Sequence, residues 1–160
     1  MEFTFNYHSL SSLIQASVQE GCTISRLVLA QQAAQMEQTE EALYRKMEKT
    51  YRVMAASIEP GCRKNLRSTS GLTGGSAYKM RQVSEAGKSL TGPLLSGALY
   101  RALAVSELNA SMGRIVAAPT AGSCGILPAP VRYMEKDRGC SEKDSIMSRL
   151  TAAAVGIIIG

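Results

Sequence analysis

PLLSGALYRALAVSELN, residues 93–109, places Leu94, Leu95, Leu99, Leu103 and Leu108 close to the period of an α-helix. Proline at position 93 stands where a first helical turn tolerates it. The stretch predicts a helix from about Pro93 to Asn109, with these leucines marking its buried side. Composition points the same way. Aromatic residues make up 5% of the 160 residues and tryptophan is absent, while Ala, Met, Leu and Ser fill the apolar positions. Close-packed helices suit that composition better than sheets do.

The same rhythm recurs on both sides of this stretch. Leu10, Leu13, Ile14 and Val18 predict a short helix from Ser9 to Glu20, stopped by Gly21. Thr23 to Ser57 reads as one long helix or as two, the second capped by Thr39, and Glu59-Pro60-Gly61 ends it. Helical rhythm is expected again from Lys79. Gly87-Lys88-Ser89-Leu90-Thr91-Gly92-Pro93 breaks it before the leucine helix. Further helices are expected near Ile126 to Lys136, and then from Ser141 with Asp144 onward. The last of these ends in the apolar run Thr151 to Gly160, which reads as a core element and predicts a chain truncated at its C-terminus. The expectation is an all-α, helical bundle-like domain with at least five helices and no sheet of three or more strands.

Formal net charge is +5, with Arg63, Lys64 and Arg67 the densest basic group. No aromatic residues interleave with it as a base-stacking platform needs, so nucleic acid is not the expected partner. No apolar run reaches the roughly 18 residues of a membrane span. Met1-Glu2-Phe3-Thr4 does not open a signal peptide, which predicts a cytoplasmic protein with free thiols. Cys22, Cys62, Cys124 and Cys140 have no CxxC spacing and His8 is the one histidine, so a local zinc site is not supported.

Chemistry concentrates in two loops rich in glycine and hydroxyls, Ser68 to Ser76 and Pro119 to Gly125. Glycines let backbone N–H groups turn inward, and a helix start behind each loop favours an anion. A carboxylate or phosphate is the natural ligand. Neither loop has the Walker A pattern, which argues against nucleoside triphosphates. Cys124, beside Ser123 at a helix start, is either a thiol of lowered pKa or a small buried residue. His8 and Cys22 read as structural.

The run from Asn109 to Pro128, NASMGRIVAAPTAGSCGILP, resembles the signature of iron-sulfur-dependent L-serine dehydratases. So does SGLTGG, residues 70–75, followed by Gly87-Lys88-Ser89-Leu90. Order and spacing cover nearly the whole chain, residues 1–160, as the N-terminal part of that family's catalytic alpha domain. The resemblance implies deamination of L-serine to pyruvate and ammonia without pyridoxal phosphate, on a [4Fe-4S] cluster held by three cysteines. It also implies a regulatory beta domain or subunit and a homo-oligomer of the intact enzyme. In the family the ligand cysteines follow the last residue of this chain, so Cys22, Cys62, Cys124 and Cys140 inherit no metal role. The chain by itself is then expected to carry no cluster and to be inactive. Ser76 departs from the acid common after the Gly-Gly pair. By loop chemistry and family position together, Ser70, Thr73, Gly74, Gly75, Thr120, Gly122, Ser123 and Gly125 are expected to bind the substrate. The two loops should then lie side by side and form one anion-receptive pocket. No residue stands out as the general base. The alternatives are a pyridoxal-phosphate lyase, for which strand signals are missing, and a non-enzymatic helical module that binds an anionic partner.

Overall fold

The computed structural model describes residues 7–160, and the Met1 to Thr4 stretch lies outside the described residues. The chain is all-α, as its periodicity predicts. Its helices are α1 (Leu10–Gln19), α2 (Ile24–Gln35), α3 (Glu40–Ala56), α4 (Ile58–Gly61), α5 (Ser76–Glu85), α6 (Gly92–Ala110), α7 (Pro128–Arg138) and α8 (Glu142–Ile159). No strand occurs among the described residues. None of these helices is long and apolar enough to cross a membrane. The chain forms two compact units, residues 1–49 with 141–160 and residues 50–140, and the boundary falls within α3.

In the first unit, local hydrogen bonds set the helix starts. Ser9 and Ser12 form a capping box at α1, Thr23 accepts from the Arg26 N–H at α2, and Ser141 accepts from the Asp144 N–H at α8. Between α2 and α3, Glu37 takes a positive φ of 52° and Thr39 Oγ1 accepts from the Ala42 N–H. That turn decides for two helices over one. Leu13, Leu27, Val28, Leu29, Ala33, Leu43, Leu150 and Ala154 form the core, with α2 packed on α8 and on α1.

The second unit is built around α6, against which α4, α5 and α7 pack. Here the structure corrects the leucine reading. Leu94, Leu95, Leu99 and Leu103 are exposed, and of the five only Leu108 is buried. The inward side carries Ser96, Gly97, Tyr100, Arg101, Ala104 and Val105. Small residues win that side because the neighbouring backbones come very close. A Cβ on Gly61 of α4 would stand 2.0 Å from the Ala104 carbonyl oxygen, and one on Gly97 would stand 2.6 Å from the Tyr133 ring. Leucine fits neither gap.

Three element boundaries also differ from the sequence reading. The chain does not stop being helical at Glu59, because Ile58 to Gly61 makes one further turn in which Pro60 occupies a first-turn position. Helix α5 begins at Ser76 rather than Lys79, for a reason given below. Helix α7 begins at Pro128, after a run of turns over residues 122–127.

An arginine can point inward from α6 because its charge is met there. Arg101 Nη2 donates to Asp137 Oδ2 of α7 at 2.6 Å and Nη1 donates to the Gly97 carbonyl at 2.9 Å. The guanidinium also lies 4.6 Å from the Tyr100 ring centre and 5.6 Å from that of Tyr133. The pair ties α7, and with it the loop that leads into α7, to the middle of α6.

Candidate functional site

Both glycine-hydroxyl loops are fixed to the same end of α6. The Thr69 N–H donates to the Ala110 carbonyl at 3.0 Å, and Thr69 Oγ1 donates to the same oxygen. One residue earlier, Asn109 Nδ2 donates to the Ala121 carbonyl at 3.2 Å. Loops far apart in sequence are therefore held by neighbouring residues of one helix.

Each loop also holds itself. In the first, the Ser68 N–H donates to the Thr73 carbonyl at 2.9 Å, and the Thr73 N–H donates to Ser68 Oγ at 3.1 Å. Ser68 Oγ and Ser70 Oγ lie 3.1 Å apart, and Arg67 donates to the Gly74 carbonyl. Gly74 has φ of 135°, and a Cβ there would stand 2.2 Å from the Leu66 carbonyl oxygen, so only glycine fits. The Thr73 side chain is exposed on this fixed backbone.

In the second loop, Thr120 and Ser123 cap each other: the Ser123 N–H donates to Thr120 Oγ1 at 3.2 Å, and the Thr120 N–H donates to Ser123 Oγ at 3.3 Å. Gly122 is exposed, and a Cβ there would meet only Thr120 Oγ1, at 3.8 Å. Gly125 is buried, with a Cβ position 2.4 Å from the Ala102 carbonyl oxygen of α6. Of the eight expected substrate residues, Gly74, Gly75 and Gly125 are thus packing positions, while Ser70, Thr73, Thr120 and Gly122 face solvent and Ser123 is partly buried.

Sequence reasoning missed Glu107. Its carboxylate accepts from the N–H groups of Gly75 at 2.9 Å, Ser76 at 2.7 Å and Ala77 at 3.3 Å. The anion at the start of α5 is therefore a side chain of α6, which both neutralises the helix N-terminus and starts the helix at Ser76. The available signal was one acid in an otherwise apolar segment.

The thiols separate by burial. Cys124 is 1% exposed, and burial pushes its thiol up despite N–H donation from its own backbone and from Gly125. The reading of Cys124 as a small buried residue holds over the reading as a lowered-pKa thiol. Burial also pushes the Cys62 thiol up, against the opposing effect of Arg81. Cys22 and Cys140 are partly exposed. A thiol-directed disulfide reagent at pH 8 is expected to label Cys22 and Cys140 at least about tenfold faster than Cys62 and Cys124, since little thiolate is present at a raised pKa. Peptide mass mapping after timed quenching reads the order, and early labelling of Cys124 would contradict it. Among the described residues, no three His, Cys, Asp or Glu side chains converge to hold a metal ion. His8 is exposed.

Comparison with known proteins agrees with the motif reading. A family model described as serine dehydratase alpha chain matches residues 19–160. The chain is 33% identical over 153 residues to the probable L-serine dehydratase, alpha chain, of Bacillus subtilis (strain 168), covering 96% of this chain and 51% of that protein. It is 37% identical over 117 residues to the L-serine dehydratase, alpha chain, of Peptoniphilus asaccharolyticus, covering 73% and 40%. With L-serine dehydratase 2 of Escherichia coli (strain K12) it shares 30% over 166 residues, covering 98% and 35%. The chain thus spans about half the length, or less, of the relatives it matches. No solved structure matches it. The chain belongs to the serine dehydratase alpha chain family.

Proposed function

We propose that this chain works as part of an L-serine ammonia-lyase, converting L-serine to pyruvate and ammonia, and that it supplies binding surface for the substrate carboxylate. The observation that carries this is the attachment of both glycine-hydroxyl loops to Asn109 and Ala110 of α6. A small amino acid needs donors converging from more than one element, and one rigid helix end provides the common base.

Elimination from serine is difficult because the Cα proton is weakly acidic and hydroxide is a poor leaving group. Holding the carboxylate fixes the Cα–H bond relative to a base and screens the charge that develops on deprotonation. Thr73 and Gly122 are the exposed groups we assign to that work, on backbones held by internal hydrogen bonds. The [4Fe-4S] cluster implied by the family resemblance does not fit the cysteines of this chain. Cys62 and Cys124 are buried among apolar side chains. The cluster of the intact enzyme is therefore assigned to residues outside this chain, and no reaction step is routed through it here. A beta domain or subunit, a homo-oligomer and a cytoplasmic location belong to the same proposal.

The test is pyruvate formation from L-serine by the complete enzyme carrying this sequence, reconstituted anaerobically. Thr73→Ala is expected to raise KM roughly tenfold, about 1.4 kcal/mol for one lost hydrogen bond to a carboxylate. No pyruvate from the parent enzyme would contradict the lyase reading. Pyruvate with an unchanged KM in the variant would remove Thr73 from the site.

A further inference from the structure

The α6 helix carries two charged residues, Arg101 and Glu107, and both are already engaged. Arg101 is 6% exposed and bound to Asp137, and Glu107 caps α5. Its solvent side therefore offers no charge over 19 residues. On α3 the exposed positions are Glu41, Arg45, Lys46, Lys49, Arg52 and the final Ala56, mostly charged as expected for a helix that faces water. The outer face of α6 instead carries Leu94, Leu95, Leu99 and Leu103, with Pro93, Ser106 and Ala110 the other exposed positions. The leucines among them are 54%, 47%, 39% and 37% exposed in chain order.

Leu95, Leu99 and Leu103 form a row at a spacing of four, with Leu94 beside its start. Such a row is a ridge of the kind that enters a groove of another helix, at an axis separation of about 8–10 Å. The helices α4, α5 and α7 and the Gly125 loop pack on other sides of α6 and leave these leucines exposed.

We propose that the exposed leucine row of α6 is the docking surface for the part of an alpha chain that family members carry outside the stretch matched here, which lays an apolar helix along it. The length available supports this occupant, since the matched residues make up 51% of the Bacillus subtilis relative and about as many again lie outside them. An uncharged row of leucines also fits a partner of the same domain better than a partner that comes and goes, because transient interfaces keep polar residues among the apolar ones. This inference rests on family membership and not on the reaction proposed above.

The experiment co-expresses this chain with a tagged segment comprising the unmatched part of the Bacillus subtilis alpha chain, and examines the purified material by light scattering on a sizing column. A one-to-one complex is expected. Leu99→Glu with Leu103→Glu should weaken it by at least about tenfold, while circular dichroism shows unchanged helix content, since both side chains already reach solvent. A complex indifferent to the double variant, or no complex at all, would overturn the proposal. So would a dimer of this chain alone that the same substitutions dissociate, which would assign the face to a second copy. No turnover is measured, so the result stands apart from the fate of the serine deamination reading.

Discussion

Gly61→Ala is expected to destabilise the second unit by about 3 kcal/mol or more and to lower its thermal midpoint by roughly 10–25 °C. The added Cβ would stand 2.0 Å from the Ala104 carbonyl oxygen and 2.4 Å from its carbonyl carbon. Both are backbone atoms in the middle of α6, so no side chain can rotate away. Relief requires α4 to withdraw from α6, which opens the core that Ile58 and Cys62 share with Ala104 and Val105. Gly156→Ala serves as the control, because its Cβ would meet nothing within 4 Å. In the interior of α8 that change is expected to stabilise by about 0.5–1 kcal/mol. Thermal melts followed by circular dichroism measure both, and equal midpoints for the two variants would contradict the packing described for α6.

Glu107→Ala carries the second large effect, about 2–3 kcal/mol. Hydrogen bonds to a charged group contribute more than neutral ones, and three donors lose their acceptor together. Water can reach the Ser76 N–H, whereas Gly75 and Ala77 are buried. Amide exchange at Gly75, Ser76 and Ala77 is expected to speed up by roughly 30- to 100-fold, with little change in α1 and α2. Glu107→Gln keeps one acceptor oxygen and should recover part of the loss. If exchange at these three amides stays slow in Glu107→Ala, the carboxylate is not what holds the loop.

These two positions also show how far the sequence could be read. Helix starts were legible wherever the cap is local, as at Ser9, Thr23 and Ser141, because the hydroxyl and the N–H it accepts from lie three residues apart. The start of α5 was not, because its acceptor arrives from Glu107 on another helix, about 30 residues away. The leucines of α6 identified a helix correctly but not its inward side. Hydrophobic period finds the inward face only where the large apolar residues lie on it, and on α6 four of the leucines lie on the exposed side while Ser96, Gly97, Arg101 and Ala104 face inward. Small residues took the interior because backbone atoms of α4 and of the Gly125 loop come within reach of Ala104 and Ala102. The two loops were legible from glycine and hydroxyl content. Which of their groups are spent on internal hydrogen bonds, as at Thr120 with Ser123, depends on turn geometry that composition does not carry.

If the Ser70 to Gly75 and Thr120 to Gly125 loops serve one ligand, as proposed, a double-mutant cycle on KM for L-serine in the complete enzyme, using Thr73→Ala, Ser123→Ala and both together, reads it out. Each single change is expected to raise KM, and the double change to depart from additivity by about 0.5 kcal/mol or more, as for residues acting on a shared partner. Ser123→Ala acts there through the Thr120 turn that it caps. Strict additivity within about 0.3 kcal/mol, or a KM untouched by either substitution, would show that the loops do not share the substrate.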